Sequence, residues 1–593
     1  MAKVTVVTLA SQREDALRAL QALGVLHVHH DPRAGGTSSA EAANAVRNAE
    51  LALRLLDQYA GEQPLNPATQ TQPALSTDDP HAIISDILAL HDRLNHLAEQ
   101  RVQLRRQYDA LAVWGDFDPA QITALTQRGV YIKLYQCEPE QIPPLPADCV
   151  MGEIQRTRHS VAFIVVANHD FTLPIPETPL PAESRSAIAQ RLAALDTEQR
   201  TLSARVAAYA PLRPLLLRAL AHFTDDFARA RARDSMGAVS TLSYLTGFCP
   251  VDALPRIQTA AHAHGWGLII TDPEPDDPVP TLIRNPRWLR PIEAVFEFID
   301  TFPGYRERDI SGVFFIFFAL FYAMLIGDAC YGLIFLALTA LIHFRWKARV
   351  PQQPLYLMYV LNTCTVIYGV LTGSYFGITL PDHALMRRWV VLDNTDFRSM
   401  VFFCFVIAAV QIIIARIWNV LRFINSIRAL GEAGWALVVV AAYFLANKLI
   451  LGRPIPAWAP ALGASGLLLA LIATIASTRG EELIGELFQF PFKAINCFGD
   501  IASYMRLFAV GFAGAAMAQA FNAIAAQIGL RGPVTSAVVV LILAVGHALN
   551  LILSLLSVMV HGLRLNMLEF SGHLGQEWSG IKYQPLAHTL RDS

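Results

Sequence analysis

The chain has 593 residues, 53% of them hydrophobic, and a formal net charge of −2. That length implies several domains, and the balanced charge supplies no basic footprint for nucleic acid. The seven cysteines (Cys137, Cys149, Cys249, Cys330, Cys364, Cys404, Cys497) show no CxxC spacing and read as reduced apolar residues rather than a disulfide or metal framework.

The two halves differ. The charge concentrates in residues 1–300, and long apolar runs dominate from about Ile310 onward, which puts the main boundary near Gly304 (1–303 and 304–593). The N-terminus opens on a strand, Val4–Leu9, with no signal-peptide h-region, so the first half is expected to stay in the cytoplasm. Ser11 with Glu14 makes a capping-box signature. A helix through Leu17, Leu20 and Leu23 is ended by Gly24, and Val25–Val28 forms the next strand of a small βαβ unit. His27, His29 and His30 lie at that strand's end, where surface histidines are commoner than metal ligands.

Residues 61–80 are rich in Pro, Gln and Thr and read as a linker. A 3-4 repeat follows through Ile83, Ile87, Leu90, Leu94, Leu97, Arg101, Leu104, Tyr108 and Leu111. A second runs through Ile188, Leu192, Leu195, Gln199, Leu202, Val206 and Tyr209, broken by Pro211 and Pro214. These narrow seams predict an antiparallel coiled coil, about 81–114 with 184–210, spanning roughly 45 Å. A distal lobe, about 115–183, contains strand-like Val130–Gln136 and Val161–Ala167. The chain returns through Leu242–Phe248 to a proximal lobe made of about 1–60 and 235–290. An ordinary helical domain is the alternative, which the narrow seams disfavour. No nucleophile–base pair or phosphate-cradling loop occurs in this half.

The second half predicts membrane crossings at Tyr356–Gly377, Met400–Leu421, Gly434–Ile450, Pro460–Ser477, Phe498–Ile528 and Pro533–Leu565. The 33-residue run Ser311–His343 is either one helix of about 50 Å or a hairpin turning at Gly327-Asp328. The hairpin gives eight crossings and puts Arg345, Lys347, Arg349, Arg422, Arg428, Arg479 and Lys493 on the cytoplasmic side. Arg387, Arg388, Arg398, Arg453 and Arg531 then lie opposite, which obeys the positive-inside rule. The fold class is thus an α-helical membrane protein. Cytoplasmic α/β lobes sit on a long antiparallel coiled-coil arm, followed by a bundle of about eight transmembrane helices, the last two long and tilted.

Arg506 lies inside an apolar helix, and Arg564 lies near the end of the next. An arginine keeps its charge in a protein, and holding one at mid-membrane costs about 2.5–3.5 kcal/mol on insertion scales, so each needs an anion. Arg416, near the end of its crossing, is expected to snorkel to the interface. His547, Asn550, Ser554, Ser557, His561 and Arg564 recur at spacings of 3 and 4 as one polar stripe, which must face protein or water. Asn496, Asp500 and Ser503 give the preceding helix a polar approach to Arg506. Beyond it, Ala509, Ala513, Gly514 and Ala518 offer a small-residue face to a neighbouring helix. The static alternative is a glued bundle in which an arginine pairs with Asp500 or Glu569.

These residues resemble a known family, the membrane subunit of V-type and archaeal-type rotary ATPases (subunit a, or subunit I). The matching motifs are Ser503-Tyr504-Met505-Arg506-Leu507, Gly546–Asn550 leading to His561–Phe570, Gly327–Gly332, Tyr368–Gly377 and the connector Arg284-Asn285-Pro286. The resemblance covers essentially the whole chain. It implies a non-catalytic stator subunit without a cofactor, in which Arg506 and Arg564 face the carboxylates of a rotor ring between two offset half-channels. It also implies partners: rotor-ring membrane subunits (c/K/L type), peripheral-stalk subunits (E/G type) on the arm, a central-stalk collar subunit (d/C type) and the lipid bilayer of a prokaryotic plasma membrane. The chain departs from the eukaryotic pattern at Gly514 (a histidine there), Ser554 (a glutamate) and Phe492 (a glutamate), and Ser311-Gly312 stands where Pro-Thr is frequent. Glu432, Glu486, His547 and Glu569 are the substitutes expected to line the half-channels, with Asn496, Asp500, Ser503, Asn550, Ser554, Ser557 and His561.

Two other function classes remain. A secondary transporter predicts inverted repeats with matching helix breaks, and no such symmetry is visible. A scaffold without transport has no need of charge at mid-depth. The choice between H⁺ and Na⁺ stays open.

Overall fold

The computed structural model describes residues 1–30, 36–62, 79–144, 146, 148–157, 160–346, 350–379, 388–392 and 396–589. The linker stretch 61–80 falls mostly outside them, as do Lys347, Arg349 and Arg387. The chain divides into two compact units, Ala2–Asp272 with Pro585–Ser593, and Pro273–Gln584 with Met1.

In the first unit, β1 (Ala2–Leu9) alternates buried and half-buried side chains, the period-2 signature of a strand with one face on a core. Helix α1 (Arg13–Leu23) is ended by Gly24 at φ 62°, a left-handed position that glycine takes without steric cost. The Ser11–Glu14 capping box does not form: a tight turn over Ala10–Gln12 leads in, and the cap residue, Gln12, makes no side-chain bond. Strand β2 (His27–Val28) follows. Helices α2 (Thr37–Glu62) and α3 (Pro80–Ala110) come next, then α4 (Pro119–Gln127). Strands β3 (Tyr131–Cys137), β4 (Val150–Arg156), β5 (Val161–Ala167) and β6 (Glu177–Thr178) form the distal sheet in the order β4-β5-β3-β6.

The chain returns along α5 (Arg185–Ala207), a turn at Ala210–Leu212, and α6 (Arg213–Asp234). Pairings of Arg93 with Glu198, Arg101 with Asp196 and Tyr209 with Asp86 run in opposite chain directions, so α3 and α5 are antiparallel. Ile83, Ile87, Leu90 and Leu94 of the predicted seam are buried, but they share their core with Leu53 and Leu56 of α2 and with Leu216 and Phe223 of α6. The base of the arm is therefore a four-helix bundle. Residues 36–62, read as part of a lobe, belong to it.

Strands β7 (Gly237–Val239) and β8 (Leu242–Cys249), helix α7 (Leu254–His264) and strand β9 (Gly267–Thr271) complete the proximal sheet, order β2-β8-β1-β9. Strand β8 lies between β1 and β2 and is antiparallel to both, so the opening unit is a split βαβ. His30 Nδ1 lies 3.0 Å from Ser235 Oγ. The tail returns to this unit: Leu586 is buried in its core, and Asp225 binds His588 and Thr589.

The second unit opens at Pro273, not near Gly304. The reason is packing. Ile292 and Phe296 are buried with Phe314, and β10 (Pro280–Thr281) pairs in parallel with β13 (Ile581–Lys582). Asn285 of the connector donates to Glu293 of α8 (Glu293–Phe298) and to Ser311. The hairpin turns as expected: α9 (Ser311–Ile326) ends on Gly327 at φ 64°, and α10 (Ala329–Trp346) begins two residues on. Then come α11 (Gln352–Thr372), β11 (Ser374–Tyr375), β12 (Ile378–Thr379), α12 (Phe397–Arg422), α13 (Arg428–Leu451) and α14 (Ala459–Ser477).

The last segments are α15 (Glu481–Ser503) with α16 (Met505–Ile528), and α17 (Pro533–Ser557) running on through two π-helical stretches to α18 (Ser571–Leu574). Among the described residues, seven helices are long and apolar enough to cross a membrane, and Ser311–Ile326 is a shorter apolar helix. At 1.5 Å per residue, α9 reaches only about 24 Å. The final span continues to Leu574 rather than ending at Leu565. The architecture is that of an α-helical, multi-pass membrane protein.

Candidate functional site

The site begins with a broken helix. Between α15 and α16 the backbone tightens for one turn: Tyr504 N bonds Ile501 O, and Leu507 N bonds Tyr504 O. In a regular helix Leu507 N would take Ser503 O. That carbonyl is instead free, and it accepts Arg506 Nε at 2.9 Å. Tyr504, fully buried, donates to Gln411 Oε1 at 2.7 Å, and Gln411 Nε2 donates to Asn566 Oδ1 at 2.8 Å. One glutamine on α12 thus fixes the break in one long helix to the π-helical stretch of the other.

The two π-helical stretches are Val558–Gly562 and Leu565–Phe570. Their wider turns shift the residues that follow around the axis. Glu569 is thereby brought inward. Its side chain is 5% exposed, and its Oε1 lies 2.5 Å from Arg506 and 3.7 Å from Arg564 Nε. Arg506 therefore has an anion within its own chain, the Glu569 named in the static alternative. Arg564 remains 55% exposed. Two guanidinium groups share one carboxylate, leaving a local excess of one positive charge. Glu569 Oε2 is buried without a hydrogen-bond partner, as is His561 Nδ1.

A second cluster adjoins the first. Arg416 does not snorkel: its side chain is 14% exposed, and it donates to Glu432 Oε2 at 2.8 Å and to His573 Nδ1 at 2.6 Å. An arginine only donates, so His573 Nδ1 is the acceptor and its Nε2–H donates to Asp500 Oδ2 at 2.9 Å. Asn419 holds the His573 carbonyl. Arg416, Glu432, Asn496, Asp500 and Glu569 line a cavity of about 510 Å³. An adjoining cavity of about 830 Å³ shares Glu432 and Lys493 with it and extends past Arg428, Arg479 and Glu486. Glu486 is itself on the open side, paired with Lys493.

A different polar chain lies along α17. Asn522 Nδ2 donates to Phe376 O at 2.7 Å, which turns its Oδ1 toward His547 Nε2 at 3.2 Å. His547 therefore carries its proton on Nε2 and accepts Tyr331 O–H at Nδ1, 2.6 Å away. Tyr331 accepts in turn from Asn550 Nδ2, which also donates to Gly514 O. Gly514 and Ala518 are used inside the chain. A Cβ on Gly514 would stand 3.3 Å from Asn550 Oδ1, and Ala518 packs against Gly377. Of the predicted small-residue face, Ala509 and Ala513 stay exposed.

The structure brings Arg506, Arg564 and Glu569 together, gathers Asp500, Asn496 and Glu432 at the cavity, and puts His547 and Asn550 in the second chain. Ser554 is buried, and Ser557 bonds its own helix at Leu553 O. Ser503 contributes its carbonyl, while its hydroxyl bonds Asp500 O. Tyr331, Gln411, Arg416, Asn522 and His573 are additional members. Gln411 and Arg416 had a sequence signal, as isolated polar residues in an apolar run. His573 lay beyond the predicted helix end.

Compared with known proteins, the chain is 27% identical to "V-type ATP synthase subunit I" of Borreliella burgdorferi, over 99% of this chain and 98% of that one. It is 28% identical to "V-type ATP synthase subunit I 1" of Treponema pallidum, over 99% of both. This chain is a homologue of the V-type and A-type ATP synthase subunits I. The A-type subunit I of Methanocaldococcus jannaschii is 26% identical over 68% of this chain and 64% of its own length. No family model matches the chain. A solved cytoplasmic N-terminal domain of subunit I, homolog of subunit a, of V-ATPase aligns with 46% of the chain and all of its own at 16% identity, with a TM-score of 0.22.

In this subunit I homologue, two motifs far apart in sequence meet at Asp328. Its Oδ1 caps α10 through the amides of Cys330 and Tyr331 (2.9 and 3.2 Å). Its Oδ2 accepts from Ser374 Oγ and Gly377 N (2.9 and 3.1 Å). A Cβ on Gly369 would fall 2.1 Å from Ala329 N, so glycine permits the close approach of α11 to the hairpin turn.

Proposed function

We propose that the protein is the stator membrane subunit of a rotary V/A-type ATPase or ATP synthase. It couples movement of protons, or sodium ions, to rotation of a ring of membrane subunits. The carrying observation is that Arg506 and Arg564 share the single carboxylate of Glu569, beside exposed Ala509 and Ala513. The uncompensated positive charge suits a second carboxylate that arrives on a rotor helix and departs. An opposite charge nearby favours the ionised carboxylate, and a low dielectric strengthens the effect. Glu569 holds Arg506 in place between visits.

The cavity lined by Asn496, Asp500, Glu432 and Glu569 fits a hydrated half-channel from the end that carries Arg422 and Arg428, which is the cytoplasmic end on this reading. The Asn522–His547–Tyr331–Asn550 chain fits the approach from the opposite face. The arginines between them prevent a direct leak. The subunit hydrolyses no ATP itself. Its soluble unit is the arm that meets peripheral-stalk and central-stalk subunits.

The test is proximity. A cysteine placed at Ala513 is expected to form a disulfide with a cysteine beside the rotor carboxylate in the assembled complex, and that bond blocks ATP-driven rotation. A cysteine at Ala526, beyond the small-residue stretch, serves as the comparison. Equal cross-linking at both sites, or none at Ala513, contradicts the assignment of this face.

A further inference from the structure

A cavity of about 510 Å³ lies where three apolar helices end or begin. Arg422 closes α12, Leu574 closes the last helix, and Ile310 immediately precedes α9. It shares Asn419, Arg422, Leu574 and Gly575 with the cavity assigned above to a half-channel, but its Arg306–Arg308 side has no role there. Three arginines line it, Arg306, Arg308 and Arg422, all of them exposed. None has an ion-pair partner among the described residues.

The cavity also holds three carboxylates, Asp277, Glu307 and Glu577, none of which forms an ion pair with those arginines among the described residues. Glu307 gives one oxygen to Gly304 N and the other to Glu577 N, both at 2.7 Å. Asp277 accepts Glu274 N at 2.8 Å. Gln576 donates its amide to Arg308 O, while its own Oε1 is buried without a donor. The site thus offers three guanidinium forks, which match phosphate oxygens two at a time, and one acceptor in need of a hydroxyl or ammonium hydrogen.

The surroundings select the source of the phosphate. Ile417 and Leu421, at 49% and 62% exposure, lie one turn apart on α12 and flank Trp418 in the chain, and Ile424, 65% exposed, follows just past the helix end, so exposed apolar side chains form a stripe next to Trp418 and Arg422 along the sequence. Trp418 lines the same cavity, and tryptophan favours the level of lipid headgroups. A soluble phosphate has no use for that stripe, whereas acyl chains lie along it. We propose that this cavity binds the headgroup of an anionic phospholipid, with the phosphate on Arg306, Arg308 and Arg422 and the chains on Ile417, Leu421 and Ile424.

The experiment uses the full chain in nanodiscs, with phosphatidylglycerol titrated into a phosphatidylcholine background and bound lipid read by native mass spectrometry. Wild type is expected to retain phosphatidylglycerol preferentially. The triple variant Arg306→Gln, Arg308→Gln, Arg422→Gln is expected to bind it roughly 100-fold more weakly, about fivefold per arginine. The corresponding triple lysine variant keeps the charge and is expected to retain most of the preference, which separates lost binding from lost folding. Replacement of Leu421 by Ser tests the stripe and is expected to weaken lipid retention without creating phosphate binding. No lipid preference in wild type, or undiminished preference in the triple glutamine variant, overturns the proposal. Displacement of the lipid by inorganic phosphate alone, or retention of an acidic protein partner in its place, overturns it as well.

Discussion

Glu569→Gln is the most informative single substitution. The wild-type carboxylate is 5% exposed and lies within 2.5 Å of Arg506 and 3.7 Å of Arg564. Removing one member of a buried pair typically costs about 3–5 kcal/mol, because the other charge is left uncompensated. Two features reduce that here. The glutamine carbonyl can still accept from Arg506, which restores about 1 kcal/mol. Arg506 is also 27% exposed and keeps the Ser503 carbonyl. The expected loss is therefore about 2 kcal/mol. It is measured by denaturant unfolding of the purified chain in mixed micelles, in a cycle with Arg506→Gln. The coupling should be about 2 kcal/mol, and the double variant should be little worse than either single one. Additivity within about 0.5 kcal/mol would refute the pairing and the account of Arg506 as a pre-held charge.

Asp328→Asn replaces an acceptor of four hydrogen bonds with a group that must turn a donor toward Ser374 or the α10 amides, so unfolding should show a loss of about 2–3 kcal/mol. Tyr331→Phe keeps the ring but strips His547 Nδ1 of its donor, and should cost about 1–2 kcal/mol while slowing ion translocation in the reconstituted complex. The tail contact should depend on pH. Burial tends to raise the Asp225 carboxyl, but its bonds from Thr589 and His588 outweigh that and hold it below the usual carboxylate range. A depressed folded-state value means that the contribution is present above the unfolded value and disappears as pH falls through the folded one. A spin label at Ala587 should thus be immobile at neutral pH and mobile in acid, while Asp225→Asn should free it at every pH.

The parts of this fold that sequence revealed are those set by local rules. Gly24 and Gly327 ended helices because left-handed positions favour glycine, and the Ile83–Leu94 seam showed its period. The apolar lengths gave the crossings. The omissions came from tertiary choices. Helix α2 has an ordinary amphipathic pattern, and nothing local says that it joins the base of the arm instead of a lobe. The connector from Pro273 is polar and looked like part of the soluble half, yet Ile292 and Phe296 pack on α9.

At the site, the arginines were legible because charge is costly in an apolar helix. Their shared partner, Glu569, stood only as an alternative beside Asp500, because the stripe was read at an α-helical period. Two π-helical stretches after Ser557 rotate Glu569 inward, and no proline or glycine pattern announces them. The break at Tyr504 is equally silent in sequence. It depends on a bond to Gln411, which comes from another helix.

Arg506 carries a charge that it cannot shed. Lysine at that position keeps a positive charge but can lose its proton, and it lacks the planar fork. In a reconstituted complex carrying Arg506→Lys, ion uptake driven by ATP should fall to background while the subunit still assembles. Ion uptake at the wild-type rate per ATP hydrolysed would contradict the central claim.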